Sequence, residues 1–571
     1  MFHGVQTIFR SGLLALALGL SLTAAAAAQG GPPPRLDLTL TPRAEALDVR
    51  MRMAAPALVA GGGLVRLPLS LVGIPSARYD GDALRAEDDL GLIPLRQEEE
   101  PPTPQGTYRR WLVERATQGD VIISYAAPPR AVSAATNNGP LFDLRQEAGG
   151  FIGAGVGFLA APVAPGPWSV RLEWDLSQAP AEARGAWTFG DGAVETVLPS
   201  QALAFSYYAG GPLGVFPAEG GEGFHMYWLT EPPFDPAALA EKTQRLYDHM
   251  SAFFGDAPGT PYRVFMRANP YDGVGGTALG RSFMFGYNRA DNPTVDSLLG
   301  LVSHEVAHTW PAMAGEHGET AWYSEGMAEF YSLVLSWRAG VTPLEQVVET
   351  MNSRADAYYA NPHIALTNAQ AAEIFWTDPV AQTVPYGRGW MYLLQTDAEI
   401  RRATAGAASL DDIVKAVRQA QLAGEPYGVS VWLALVGAQI GDEKAQAQFD
   451  AMAAGTRLLP PADLYTPCLQ VVARQVRTFE LGFPRAVLNG ERIVSGLVPG
   501  SAAAQAGLRE GDAITDVRDL NVARKDQEQT ITLTVERDGA ALTLTYLPRG
   551  QTVEAWGWAR DAAAPESACR F

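Results

Sequence analysis

Residues 298–310 read LLGLVSHEVAHTW. Leu298, Leu299, Leu301, Val302 and Val306 recur at helical spacing, which predicts an amphipathic helix. On such a helix His304 and His308 share one face, so both imidazoles can reach one zinc ion while Glu305 lies beside its open coordination position. Two ordinary histidines on an amphipathic helix would give the same five letters, so the motif needs a further ligand. Residues 322–330, WYSEGMAEF, supply a candidate. Catalytic zinc usually takes three protein ligands, and Glu325 is expected to be the third. It follows His308 after sixteen residues (309 through 324), room for a short connection and a second helix. Glu329 stands one turn further on the same face, either as a hydrogen-bond acceptor for a ligand imidazole or as a solvated helix carboxylate. Glu316 and His317 read as connector residues.

Around this centre the chain falls into segments. Residues 32–200 carry short β-like runs, such as Leu36–Leu40, Leu64–Leu71, Val121–Tyr125 and Val170–Trp174, broken by Pro and Gly, which predicts a β-sandwich. Glu98–Gly106, EEEPPTPQG, is expected as an exposed loop because its prolines exclude helix and central strand. Residues 201–460 read as a mixed, mainly helical domain, with a helix over Ala237–Phe254, a strand over Tyr262–Arg267 and further helices over Ala328–Trp337 and Leu410–Val417. Residues 470–555 return to short strands at Arg492–Leu497, Thr530–Arg537 and Ala541–Leu547, and 556–571 read as a tail. The fold class expected is therefore multidomain α+β.

Composition bounds the function. A chain of 571 residues has room for three to five domains at ~100 to 200 residues each. With 43 Lys and Arg against 62 Asp and Glu the net charge is -19, which repels phosphate backbones, so no nucleic-acid partner is expected. Arg10 precedes an uncharged run from Ser11 to Ala28 ending Ala26-Ala27-Ala28, read as a signal peptide over 1–28 cleaved after Ala28. The same 18 uncharged residues are close to a membrane span of ~20, which keeps an uncleaved anchor as the other reading. With cleavage the protein is expected to be secreted or periplasmic and off the membrane. Cys468 and Cys569 either pair in an oxidising compartment or remain free thiols.

The motifs HEVAHTW and WYSEGMAEF, with Tyr386-Gly387-Arg388-Gly389 followed by Leu393, Leu394, Asp397, Glu399, Ile400 and Arg401 and then Ser409-Leu410-Asp411-Asp412, resemble the glycyl aminopeptidase family. These are gluzincin zinc metallopeptidases related to the alanyl aminopeptidases. The resemblance implies a thermolysin-like catalytic domain with one zinc per chain, held by His304, His308 and Glu325. It implies that Glu305 takes a proton from the attacking water and passes it to the leaving amine. It also implies that the Tyr386 hydroxyl bonds the oxyanion; the other reading of Tyr386 is a loop tyrosine ahead of a helix.

Family members bind the substrate's α-amino group with a glutamate on a glycine-rich strand. The matching stretch here, Gly275-Gly276-Thr277-Ala278-Leu279-Gly280-Arg281-Ser282, has no glutamate, so the aminopeptidase expectation is weaker than the metallopeptidase one. Gly275, Gly276, Thr277 and Ala278 remain candidates for main-chain pairing with an extended peptide. Three functions are compatible with this pattern: an aminopeptidase, an endopeptidase or dipeptide-releasing enzyme with no need of a free N-terminus, and an inactive peptide-binding protein.

Leu481-Gly482-Phe483, with Gly500-Ser501-Ala502-Ala503 and Ala506-Gly507-Leu508-Arg509-Glu510-Gly511-Asp512, resembles the PDZ domains of bacterial proteases. This implies a PDZ-like domain in which the loop captures a peptide C-terminus, or in which Leu481 and Phe483 simply fill core.

Overall fold

The computed structural model describes residues 31–569 apart from 104, 134–135, 137–138, 220, 272–273, 377, 379 and 490; the expected signal peptide lies outside them. Among the described residues no helix is long and apolar enough to cross a membrane. The chain forms two compact units, one ending at Thr309 and one beginning at Trp310.

The first unit is β-rich at its start. Strand Arg35–Pro42 pairs antiparallel with Leu47–Met53 and parallel with Trp168–Trp174 in a seven-stranded sheet. The alternation seen in sequence does this work, since Leu36, Leu38, Leu40, Val49 and Met51 all turn into one core with Trp111, Trp168 and Trp187. The loop expected from Glu98 begins two residues later, because strand Leu95–Glu99 sits at a sheet edge. Glu98 lies opposite Arg110 and Glu99 opposite Arg109, and these cross-strand ion pairs hold the strand until Pro101. The boundary drawn at residue 200 precedes a strand, β1 (Tyr207–Gly211), that completes a sheet with Gly150–Ala154 and Arg184–Trp187.

Beyond β1 the unit becomes mixed. Strand Phe224–Trp228, helix Pro236–Phe253 and β2 (Tyr262–Asn269) form a parallel crossover, and Asp235 caps the helix by accepting from the Ala237 and Ala238 N–H groups. β3 (Gly275–Ala278) is an edge strand, antiparallel to β4 (Ser282–Asn288). His225 is fully buried in this sheet. Burial first, and then the Arg263 charge, hold its pKa below the usual histidine value. The unfolded chain takes up that proton near pH ~6.5 while the native chain does not, so stability is expected to fall as pH drops through that value. Thermal melts from about pH 8 to 5 should show a shallower slope for His225→Gln.

The second unit is mostly helical up to Ala453, as expected. Its helices include α2 (His317–Arg338), α3 (Leu344–Tyr359) and α4 (Val384–Ala403), numbered after α1 (Val295–Ala307) of the first unit. Strands β5 (Leu469–Phe479) and β6 (Arg549–Arg560) form an antiparallel ribbon. Residues 556–560, read as tail, belong to this ribbon: Trp558 exchanges two backbone bonds with the Asn352 amide of α3, and Trp556 packs on Tyr359. A three-stranded sheet of Ala513–Arg518, Ile531–Arg537 and Ala540–Tyr546 closes a small core that includes Leu481 and Phe483. The strand expected over Arg492–Leu497 is reduced to one bridge, Ile493 to Ala513, because Arg492 and Gly496 both take positive φ and bend the chain. Cys468 and Cys569 are joined in a disulfide that ties the start of the ribbon to the chain's last described residue.

Candidate metal centre

Helix α1 starts at a capping box. The Ser297 N–H donates to Thr294 Oγ1 and the Thr294 N–H to Ser297 Oγ. From Ser303 to Ala307 every residue is buried, with His304 1% and Glu305 0% exposed. The i and i+4 spacing acts as predicted, since the His304 and His308 Nε2 atoms face each other at 2.9 Å. Glu325, 1% exposed, lies in α2. One ligand atom each from His304, His308 and Glu325 lies within 4.8 Å of the others. Two imidazole nitrogens and a carboxylate oxygen gathered around one point are the donor set of a catalytic zinc site, with ligand bonds of ~2.0 to 2.2 Å. The residues present fit that metal.

Glu305 is confined by β3. A side chain at Gly276 would place its Cβ 2.5 Å from Glu305 Oε1 and 2.6 Å from Cγ, so only glycine lets the strand pass over this carboxylate. Thr277 faces the other way and anchors the strand: its hydroxyl accepts from the Leu141 N–H at 3.0 Å and its carbonyl from the Tyr207 hydroxyl at 2.9 Å. Burial, and then the nearby Glu305 charge, push the Tyr207 phenol well above its ordinary pKa. Nothing in sequence marks Tyr207, because its tie to the site is made by pairing seventy residues apart. β3 ends at Ala278 and carries no carboxylate.

In the second unit, α2 and α4 cross at two glycines. A Cβ on Gly326 would lie 2.6 Å from the Gly389 carbonyl carbon, and one on Gly389 would lie 2.0 Å from the Trp322 oxygen. Glu325 adjoins one of these glycines and Tyr386 stands one turn before the other. Tyr386 lies inside the first turn of α4, not in a loop. Glu329 forms an ion pair with Arg354 of α3, whose guanidinium also donates to the Glu329 carbonyl and to Ser332 Oγ. His317 opens α2 and packs its ring on Phe375 and Trp376 at 4.5 and 5.5 Å. Burial lowers its pKa, opposed by the charge of Glu325.

Leu481 and Phe483 are each 6% exposed, with their side chains in the small core. Their loop is held by bonds from the Tyr546 hydroxyl to the Leu481 carbonyl and from the Val498 N–H to the Gly482 carbonyl, and Gly482 takes φ +82.

No model of a known protein family matches the chain, and no curated protein matches it by sequence. Solved structures do. An aminopeptidase N family protein from Idiomarina loihiensis superposes with a TM-score of 0.61 at 14% identity, covering 91% of this chain and 97% of that one. An M1 zinc metallopeptidase from Deinococcus radiodurans gives 0.45 at 19% identity, covering 75% and 94%. Native yeast LTA4 hydrolase gives 0.44 at 13% identity, covering 75% and 67%. The chain shares the fold of the Idiomarina protein over nearly its whole length.

Proposed function

We propose that this chain is an exported zinc metallopeptidase that hydrolyses peptide bonds. The observation that carries the reading is the convergence of His304, His308 and Glu325, with Glu305 buried beside them under Gly276. When bound there, zinc would act as a Lewis acid toward a carbonyl oxygen and make water acidic enough to react near neutral pH. Glu305 takes a proton from the attacking water and delivers it to the leaving amine. The Tyr386 hydroxyl donates to the oxyanion that forms on the scissile carbonyl. β3 aligns an extended substrate through its main chain, as a sheet edge can. Export is supported by the Cys468–Cys569 disulfide, which suits an oxidising compartment, and by the leader-like residues 1–28. The C-terminal β unit is proposed as PDZ-like; since Leu481 and Phe483 are spent on core, capture of a peptide C-terminus there would use loop main chain.

The first reading of specificity is an aminopeptidase. The lack of a glutamate in residues 275–282 favours a second, in which no free N-terminus is required, because an incoming ammonium meets no counter-charge from this stretch. Mass spectrometry of products from peptide pools with free and with acetylated N-termini separates the two. Stepwise loss from free termini alone supports the aminopeptidase, and cleavage of both pools supports the second reading. No cleavage of either by zinc-loaded protein would leave only a peptide-binding protein.

A further inference from the structure

The Tyr386-Gly387-Arg388-Gly389 motif contains one residue that the proposed chemistry does not use. Arg388 is an arginine with 0% exposure, and a buried guanidinium is costly unless its donors are placed. It donates to Asn368 Oδ1 at 2.8 Å, to the Ile364 carbonyl at 2.9 Å and to the Leu366 carbonyl at 2.5 Å. The two carbonyls lie in the turn that follows α3, and Asn368 opens the short helix Asn368–Ile374 that comes after it. The near end of that turn is fastened to the other side of Tyr386. Asn361 donates to Thr383 Oγ1 at 3.0 Å and to the Val380 carbonyl at 3.3 Å, and His363 Nε2 meets Asp378 Oδ2 at 2.8 Å.

Asp378 is the hub of this second fastening. Its Oδ1 accepts from the Val380 N–H at 2.8 Å and from the Ala381 N–H at 3.3 Å, and its carbonyl accepts from the Gln382 N–H. It therefore caps the short turn Ala381–Thr383, which runs without a break into α4. Three residues after Thr383 comes Tyr386, and two residues later Arg388. At Gly387, between them, an added Cβ would lie 2.8 Å from Tyr358 Cβ at the end of α3, so the backbone there has no slack.

We propose that Asp378 and Arg388 are positioning residues for Tyr386: clamped to the 361–368 segment on both sides of the tyrosine, they fix the first turn of α4 and with it the direction of the phenol. This rests on the reading in which Tyr386 donates to the oxyanion. A group that acts only in the transition state loses kcat when misplaced by a fraction of an ångström, while substrate binding is little changed.

The test is a double-mutant cycle on the zinc-loaded full chain, with kcat and KM read separately. Asp378→Ala is expected to lower kcat by about 10-fold with KM within about twofold. Asp378→Asn, whose amide oxygen still caps the turn, is expected to recover most of that loss. In a Tyr386→Phe background Asp378→Ala is expected to cost nothing further, because its effect passes through the hydroxyl. Arg388→Lys, which keeps the charge but not the fork, serves as the second variant should Asp378→Ala melt early. An equal loss of kcat in both backgrounds overturns the proposal and makes the clamps merely structural. A Tyr386→Phe protein as active as the parent removes the oxyanion assignment itself and the proposal with it, whereas a parent that binds zinc and cleaves nothing refutes the peptidase reading instead.

Discussion

Glu305→Gln is expected to hold one zinc ion per chain and to lose kcat by ~10² to 10⁴, the usual contribution of a positioned general base. The amide has nearly the volume of the carboxylate, so it leaves neither a cavity nor a clash beneath Gly276, where the fit is too close for a side chain. It is not a zinc ligand in this arrangement, since the converging donors are His304, His308 and Glu325. What the amide cannot do is take the proton from water. Metal analysis and steady-state kinetics on the same preparation read the two quantities separately. Retained zinc with undiminished hydrolysis would sink the assignment of Glu305. Loss of zinc together with activity would instead make this residue part of the metal's surroundings.

The parts of this site legible in the sequence are those set by local geometry. His304 and His308 are visible because four residues on a helix make one face, and Glu325 because a catalytic zinc site wants a third protein ligand and the motif WYSEGMAEF offers a carboxylate. The alternating leucines of Arg35–Pro42 announce their strand for the same reason. What stayed hidden depends on partners remote in the chain. Sequence allows Glu329 to be either an imidazole's partner or a solvated carboxylate; that it meets Arg354 depends on how α3 packs against α2. Tyr207 reaches Thr277 only through the pairing of β1. Trp556 and Trp558 looked like the start of a tail because nothing local says that α3 offers Asn352 to their backbone. At Arg492–Leu497 the β-like residues were real, but the positive φ at Arg492 and Gly496 outweighed them. The disulfide likewise joins residues 101 apart, and two cysteines alone could not distinguish a bridge from two thiols.

The glycines of the α2 and α4 motifs carry a message that the sequence shows but does not explain, and Gly389→Ala tests it. A methyl group there would sit 2.0 Å from the Trp322 carbonyl oxygen and 3.0 Å from Gly326 Cα, both of them main-chain atoms of the facing helix. A side chain could swing aside, but a backbone carbonyl in mid-helix cannot move without breaking its own hydrogen bond. The flanking Trp322 and Trp390 are each 1% exposed, so the helices have no void into which to retreat. The variant is expected to lose at least ~3 kcal/mol of stability, the upper range for overpacking, which lowers Tm by about 6 to 12 °C in a unit of this size. Because Glu325 and Tyr386 ride on the two helices, kcat should fall even at temperatures where the protein stays folded. The matched control is Gly300→Ala in α1, where an added Cβ meets nothing within 4 Å. That change should raise Tm slightly, since alanine favours helix over glycine by about 0.5 to 1 kcal/mol. If Gly389→Ala instead melts with the parent, the two helices tolerate separation, and the glycine crossing is not what fixes Glu325 against the turn that bears Tyr386.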